Sequence, residues 1–145
     1  EIWRDPRAVV GASDAGAHLD LFLSSNYSTH MIGQVVQRRG LMELEEAVKL
    51  LTSVQADLYG LKDRGRLNEG GYADVVVLDE ATVDANPLTF KPDLPAGAAR
   101  LYSDATGIAN VVCNGEEIVR DGEFTEARPG SVIRSGQDTA SPDLN

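Results

Sequence analysis

Two dipeptides, Asn114-Gly115 and Asp121-Gly122, constrain this chain more than any other feature. They separate three short runs: Ile108–Cys113 (IANVVC), Glu116–Arg120 (EEIVR) and Glu123–Thr125. A two-residue hairpin loop of the favoured kind needs positive φ at both positions, and Asn, Asp and Gly tolerate it. The spacing therefore predicts strand, turn, strand, turn, strand over 108–125. A further strand is predicted at Ala73–Asp79 (ADVVVLD), between Gly70-Gly71 and Glu80. Short strands spaced by glycine turns point to a β-sandwich or a small sheet.

The first sixty residues have another character. Ala8–Gly11 (AVVG) follows Pro6 and is apolar throughout, as in strands buried on both faces of a parallel sheet. A helix is predicted over Ser28–Arg39, with Met31, Ile32, Val35 and Val36 as its apolar stripe and Gly40 ending it. A second is predicted over Glu43–Leu51. Its Leu44, Ala47, Val48 and Leu51 share a face, and Glu43, Glu45 and Glu46 suit the positive end of the helix dipole. A third helical turn is predicted over Gln55–Tyr59, ending at Gly60. An isolated strand–helix unit cannot cover both faces of its strand. Segment 8–11 thus needs partners from a longer chain or from a second copy.

Composition narrows the function. The chain has 145 residues and a formal charge of −10, from 23 acidic and 13 basic residues. RGR at 64–66 and QRR at 37–39 are isolated, so the basic stripe that a nucleic-acid partner requires is missing. No apolar run approaches the roughly 18–20 residues of a membrane span. Cys113 is the only cysteine, which excludes an intrachain disulfide and a thiolate metal cluster, fits a reducing compartment and leads to an expectation of cytoplasmic localisation. The chain begins at Glu1 rather than methionine and is expected to be a piece of a longer protein.

The chemistry centres on AVVGASDAGAHLD at 8–20. Loops at the C-terminal ends of parallel barrel strands carry active sites. Asp14, just past the predicted strand, has the chemistry of a metal ligand or of a general base beside a metal-bound water. Gly11, Ala12, Ser13, Ala15, Gly16 and Ala17 leave room for substrate. His18 has the chemistry to donate to a substrate carbonyl or to orient a carboxylate. The same pattern supports a plainer reading: Ser-Asp before small residues is a turn and N-cap signal, and a lone histidine is commonly a surface residue. His30 receives no role, and two histidines twelve apart do not form a zinc site. Asp63-Arg64-Gly65 reads as a turn with a charge pair. Pro95 and Gly97 in DLPAGAARL read as a loop, with Arg100 pairing an acid, and Cys113 reads as a small buried apolar residue.

Four blocks carry a resemblance: GASDAGAH at 11–18, LEEAVKLLTSVQADLYGLKDRGRLNEGGYADVVVLD at 44–79, DLPAGAARLY at 93–102 and GIANVVCNGEEIVRDGEF at 107–124. Together they resemble the C-terminal part of amidohydrolase-superfamily proteins, and within these the N-acyl-D-amino-acid deacylase (D-aminoacylase) family. The likeness runs to about Arg134.

The resemblance implies an α/β plus β fold: the last strand–helix units of a metal-dependent (β/α)8 barrel over 1–60, and a β-sandwich portion over 61–134. Residues 135–145 are then a polar, disordered tail. It implies hydrolysis of the amide bond of N-acyl-D-amino acids by a metal-activated water. Asp14 matches the aspartate that takes and returns the proton and that can touch the metal, zinc in the whole protein. His18 is carried as a substrate-binding candidate.

Gln55 departs from the family, which usually has proline there. The family's metal-binding histidines, and its other metal ligands, would lie before Glu1. The segment alone is therefore expected to be inactive, not to bind zinc, and to self-associate through barrel-facing surfaces. The alternatives are a stand-alone β-rich interaction module, or another amidohydrolase of the cyclic amidase or dihydroorotase-like kind.

Overall fold

The computed structural model describes residues 2–11 and 13–141. Ala12, counted above among the small loop residues, and the tail residues 142–145 lie outside the described residues. The chain forms two compact units, each assembled from separated segments. One holds Glu1–Val10, Glu45–Leu78 and Ile108–Asn145; the other holds Gly11–Leu44 and Asp79–Gly107.

In the first unit, helices α2 (Leu44–Leu51, whose first residue belongs to the other unit) and α3 (Ser53–Leu58) accompany a four-stranded antiparallel sheet. Its strands are β1 (Val75–Leu78), β6 (Ile108–Cys113), β7 (Glu116–Arg120) and β8 (Glu123–Phe124), adjacent in that order. Cys113 pairs with Glu116 and Arg120 with Glu123, so both hairpin loops have two residues. Their φ values, 49° and 83° at Asn114-Gly115 and 51° and 82° at Asp121-Gly122, are those the dipeptides predicted. Register shifts fall on β1/β6 between Val77 and Leu78 and on β6/β7 between Val111 and Val112. The backbone groups that leave the ladder are reused: Ala109 O accepts from Gly122 N at 2.9 Å, and Ile118 O from Thr125 N at 3.0 Å. Ala47, Ala56 and Val119 are buried in this unit. Residues 137–140, within the polar tail, bond to 60–62: Ala140 N donates to Gly60 O at 2.8 Å, and Thr139 bridges Leu61.

The second unit is built around a helix that begins as α1 (Tyr27–His30) and continues as a wider π-type helix over Met31–Arg38. The α-helix expected over 28–39 is thus helical at the expected place but wound differently. Tertiary contacts accompany the wider winding. Gln37 Nε2 donates to Val83 O at 3.2 Å, and Arg38 Nη2 lies 2.5 Å from Asp84 Oδ2. A side chain at Gly33 would collide with Asp84, which has closed onto the helix backbone there. Two short antiparallel pairs complete the unit: β2 (Asp84–Ala85) with β5 (Ala105–Thr106), and β3 (Thr89–Lys91) with β4 (Arg100–Tyr102). Met31, Ile32, Val35, Met42 and Val83 are buried here.

One expectation is corrected. Residues 8–11 are not a strand, and every strand pair among the described residues is antiparallel. The described residues form α plus antiparallel β, with no closed barrel. The reason is partnership: a strand exists only through a ladder, and no described segment pairs with 8–11. Val10 O instead accepts from the side chain of Gln55 at 2.7 Å.

Candidate active site

Asp14 lies in a turn shaped by its neighbours. Ser13 Oγ accepts from Ala15 N at 3.2 Å, and Ser13 O accepts from Ser24 Oγ. The serine therefore does the local capping that the Ser-Asp pair signalled. Asp14 itself adopts the left-handed region, φ 54°, and so does His18, φ 48°. Asp and His are among the residues with a Cβ that enter this region most readily, chiefly at turns. Both side chains are exposed, and among the described residues no hydrogen bond or ion pair engages the Asp14 carboxylate. His18 closes the turn through its carbonyl, which accepts from Leu21 N at 2.9 Å and Phe22 N at 3.2 Å. Its ring lies 6.0 Å from that of Phe22, tilted by 41°.

The next residue ties the loop to the rest of its unit. Leu19 O accepts from Leu101 N of β4 at 2.8 Å. The DLPAGAARLY block is thereby hydrogen-bonded to the segment carrying Asp14 and His18. A main-chain bond between residues this far apart leaves no sequence signature. Gln55 has a structural role that the sequence did not show: its side-chain amide donates to Val10 O at 2.7 Å. Read as a mere departure from proline, it proves to supply a donor that proline lacks.

The remaining polar residues have structural partners. Arg100 grips Asp93 through two hydrogen bonds of 2.8 Å, which hold the Asp93 carboxyl below the usual carboxylate range and the guanidinium above its own. Arg64 pairs with Asp74 rather than with its neighbour Asp63, and its guanidinium stacks 3.9 Å from the Tyr72 ring centre. Cys113 is half-buried in β6. His30 is exposed at the end of α1. A shallow depression lined by Gln37, Asp79, Glu80 and Ala81 contains none of the expected site residues. No helix among the described residues is long and apolar enough to cross a membrane.

Among the described residues no three His, Cys, Asp or Glu side chains converge as metal ligands. A zinc ion needs at least three protein ligands in a catalytic site. The described residues do not by themselves fit a resident metal.

A model of the amidohydrolase family matches residues 1–119, and the chain belongs to that family. It is 35% identical over 106 residues to N-acyl-D-glutamate deacylase of Alcaligenes xylosoxydans xylosoxydans, a match covering 73% of this chain and 20% of the relative. The crystal structure of a D-aminoacylase superposes with a TM-score of 0.55 at 34% identity, over 69% of this chain and 19% of that one. N-acyl-D-glutamate deacylase from Bordetella bronchiseptica, solved with zinc and a phosphonate mimic of the tetrahedral intermediate, superposes at 0.53 with 35% identity, over 74% and 20%. The chain thus spans about a fifth of the length of these relatives.

Proposed function

We propose that this chain is the C-terminal part of a metal-dependent hydrolase that cleaves the amide bond of N-acyl-D-amino acids. In this reading residues 1–60 complete a (β/α)8 barrel, 61–134 contribute to a β-sandwich, and 135–145 are a polar tail. The reading is carried by one conjunction. The family match includes GASDAGAH, and the aspartate in it stands exposed, with its carboxylate unengaged by any described residue, on a left-handed turn.

Asp14 would accept a proton as water attacks the amide carbonyl, then deliver it to the nitrogen as the C–N bond breaks. The products are a carboxylate and a free D-amino acid. His18 would contact the substrate. The zinc of the whole enzyme would be held mainly by ligands outside the described residues, so the 145-residue chain alone would neither bind zinc tightly nor hydrolyse substrate. Self-association of the isolated chain would run through its barrel-facing surfaces, where Val9 and Val48 are exposed. Sedimentation showing a clean monomer at tens of micromolar, an order set by weak interfaces, would count against that part.

The test has two arms. The chain alone is assayed for release of amino acid from N-acetyl-D-glutamate, N-acetyl-D-aspartate and N-acetyl-D-leucine, and for zinc by titration calorimetry; neither signal is expected. The protein read from the genomic frame upstream of Glu1 is then assayed with and without Asp14→Asn. The substitution is expected to lower kcat by about 10²–10⁴-fold, the range for a lost general base. Hydrolysis by the chain alone, or an extended enzyme indifferent to Asp14→Asn, would overturn the proposal.

A further inference from the structure

Asn-Gly is the dipeptide most prone to self-modification. The glycine nitrogen attacks the asparagine Cγ, because no side chain obstructs it. A C–N bond forms, Nδ2 leaves as ammonia carrying the proton of the glycine N–H, and a cyclic imide remains. Water then opens the imide at either carbonyl to give aspartate or isoaspartate. Asn114-Gly115 has that sequence and lies in a hairpin loop, where such reactions are ordinarily unrestrained.

The fold engages every group the reaction needs. The attacking nitrogen, Gly115 N, donates to Ala73 O at 3.0 Å. The amide under attack is held at both ends: Arg64 Nη2 donates to Asn114 Oδ1 at 2.6 Å, and Asn114 Nδ2 donates to Pro129 O at 2.7 Å. The Asn114 backbone N–H donates to Asp74 Oδ1 at 2.8 Å. Arg64 is itself fixed, paired with Asp74 and stacked on Tyr72, with its side chain only 14% exposed. Ring closure requires Gly115 N to leave Ala73 and the side-chain amide to leave at least one partner, so it must pass through local opening of the hairpin.

We infer that Asn114 is a latent modification site, kept as asparagine by the Arg64–Asp74 clamp and converted to aspartate or isoaspartate when the β6–β7 hairpin opens. Conversion would not be silent. Either product lacks the Nδ2 donor to Pro129 O and sets a second carboxylate beside Asp74, with one guanidinium between them. Isoaspartate also adds a methylene to the backbone of a two-residue loop, which breaks the Cys113–Glu116 register. The modified hairpin would reopen more readily, so the change would mark chains that have unfolded. The inference does not depend on the proposed catalytic activity.

The experiment incubates the chain at neutral pH in buffer and in concentrated urea. The mass gain at the 114–115 peptide and its isoaspartate content are followed by peptide mapping. Folded wild type is expected to modify at least about 10²-fold more slowly than the urea-unfolded chain, because the reaction is gated by the opened population. Arg64→Ala is expected to raise the folded-state rate about tenfold, which corresponds to about 1.4 kcal/mol of easier opening. Arg64→Lys keeps the charge but not the planar fork and should fall between. If Arg64→Ala does not fold by circular dichroism, Arg64→Lys carries the comparison. Equal rates for folded and unfolded wild type would overturn the inference, as would a folded Arg64 variant that modifies no faster than wild type.

Discussion

Among the stretches of this chain that place non-glycine residues in left-handed backbone, the β6–β8 hairpins and the Asp14 loop differ in what holds them there. Asn114 and Asp121 sit in hairpin loops with φ of 49° and 51°. The ladders on either side compensate for the strain, and Asn114 adds three side-chain or backbone bonds of its own. Asp14 and His18 have nearly the same φ, 54° and 48°, without a ladder. Among the described residues, Ser13, Ser24, the His18 carbonyl and ring, and the Leu19–Leu101 bond restrain their loop. The hairpins spend a strained residue on architecture, whereas the Asp14 loop leaves its carboxylate in solvent.

Substitutions can break this contrast. The largest effect is expected from Asn114→Ala, which removes the acceptor for Arg64 and leaves alanine in left-handed backbone. A loss of about 3 kcal/mol is expected in urea unfolding; a loss below about 1 kcal/mol would mean the clamp is dispensable. A smaller effect of opposite sign is expected at Asp14. Asp14→Gly relieves a left-handed residue with no carboxylate bond to lose, so stability should hold or rise by up to about 1 kcal/mol. A clear fall in thermal midpoint would show that the carboxylate serves local structure, and would remove the reason for reading it as chemistry.

The smallest expected effect is electrostatic and belongs to the hairpins. Glu117 accepts from Arg120 Nε at 2.5 Å and from Asn110 Nδ2 at 2.7 Å, and these bonds, Arg120 first, hold its carboxyl below the usual range. A carboxyl lowered on folding contributes stability that is present above its unfolded pKa and is lost as pH falls through its folded pKa. The gap in thermal midpoint between wild type and Glu117→Gln should therefore be open at neutral pH and close on acidification below the ordinary glutamate range. A gap that stays constant with pH would assign the effect to shape rather than charge.

Much of the first unit was legible because its information is local. IANVVC-NG-EEIVR-DG-EF names its own strands and turns, and β6 and β7 occupy the predicted residues. The helices followed from apolar spacing and Gly40, and shifted by only a few residues at their ends. The β2–β5 and β3–β4 pairs were not legible. Each has two or three residues, too short for alternation to register against a loop. AVVG was misread for the opposite reason: the composition of a strand was present but the partner was not.

By itself, then, the sequence determined the hairpin register, the helical faces and the family likeness. These depend on residues within a few positions of one another, or on composition. Only the tertiary structure decided that Arg64 serves Asn114, that Gln55 serves Val10, that Leu101 restrains the Asp14 loop, and that the central helix winds as a π-helix against Asp84. Each of these joins residues far apart in the chain. Such a bond is chosen by the shape that the whole unit closes into, and no local pattern of side chains encodes it.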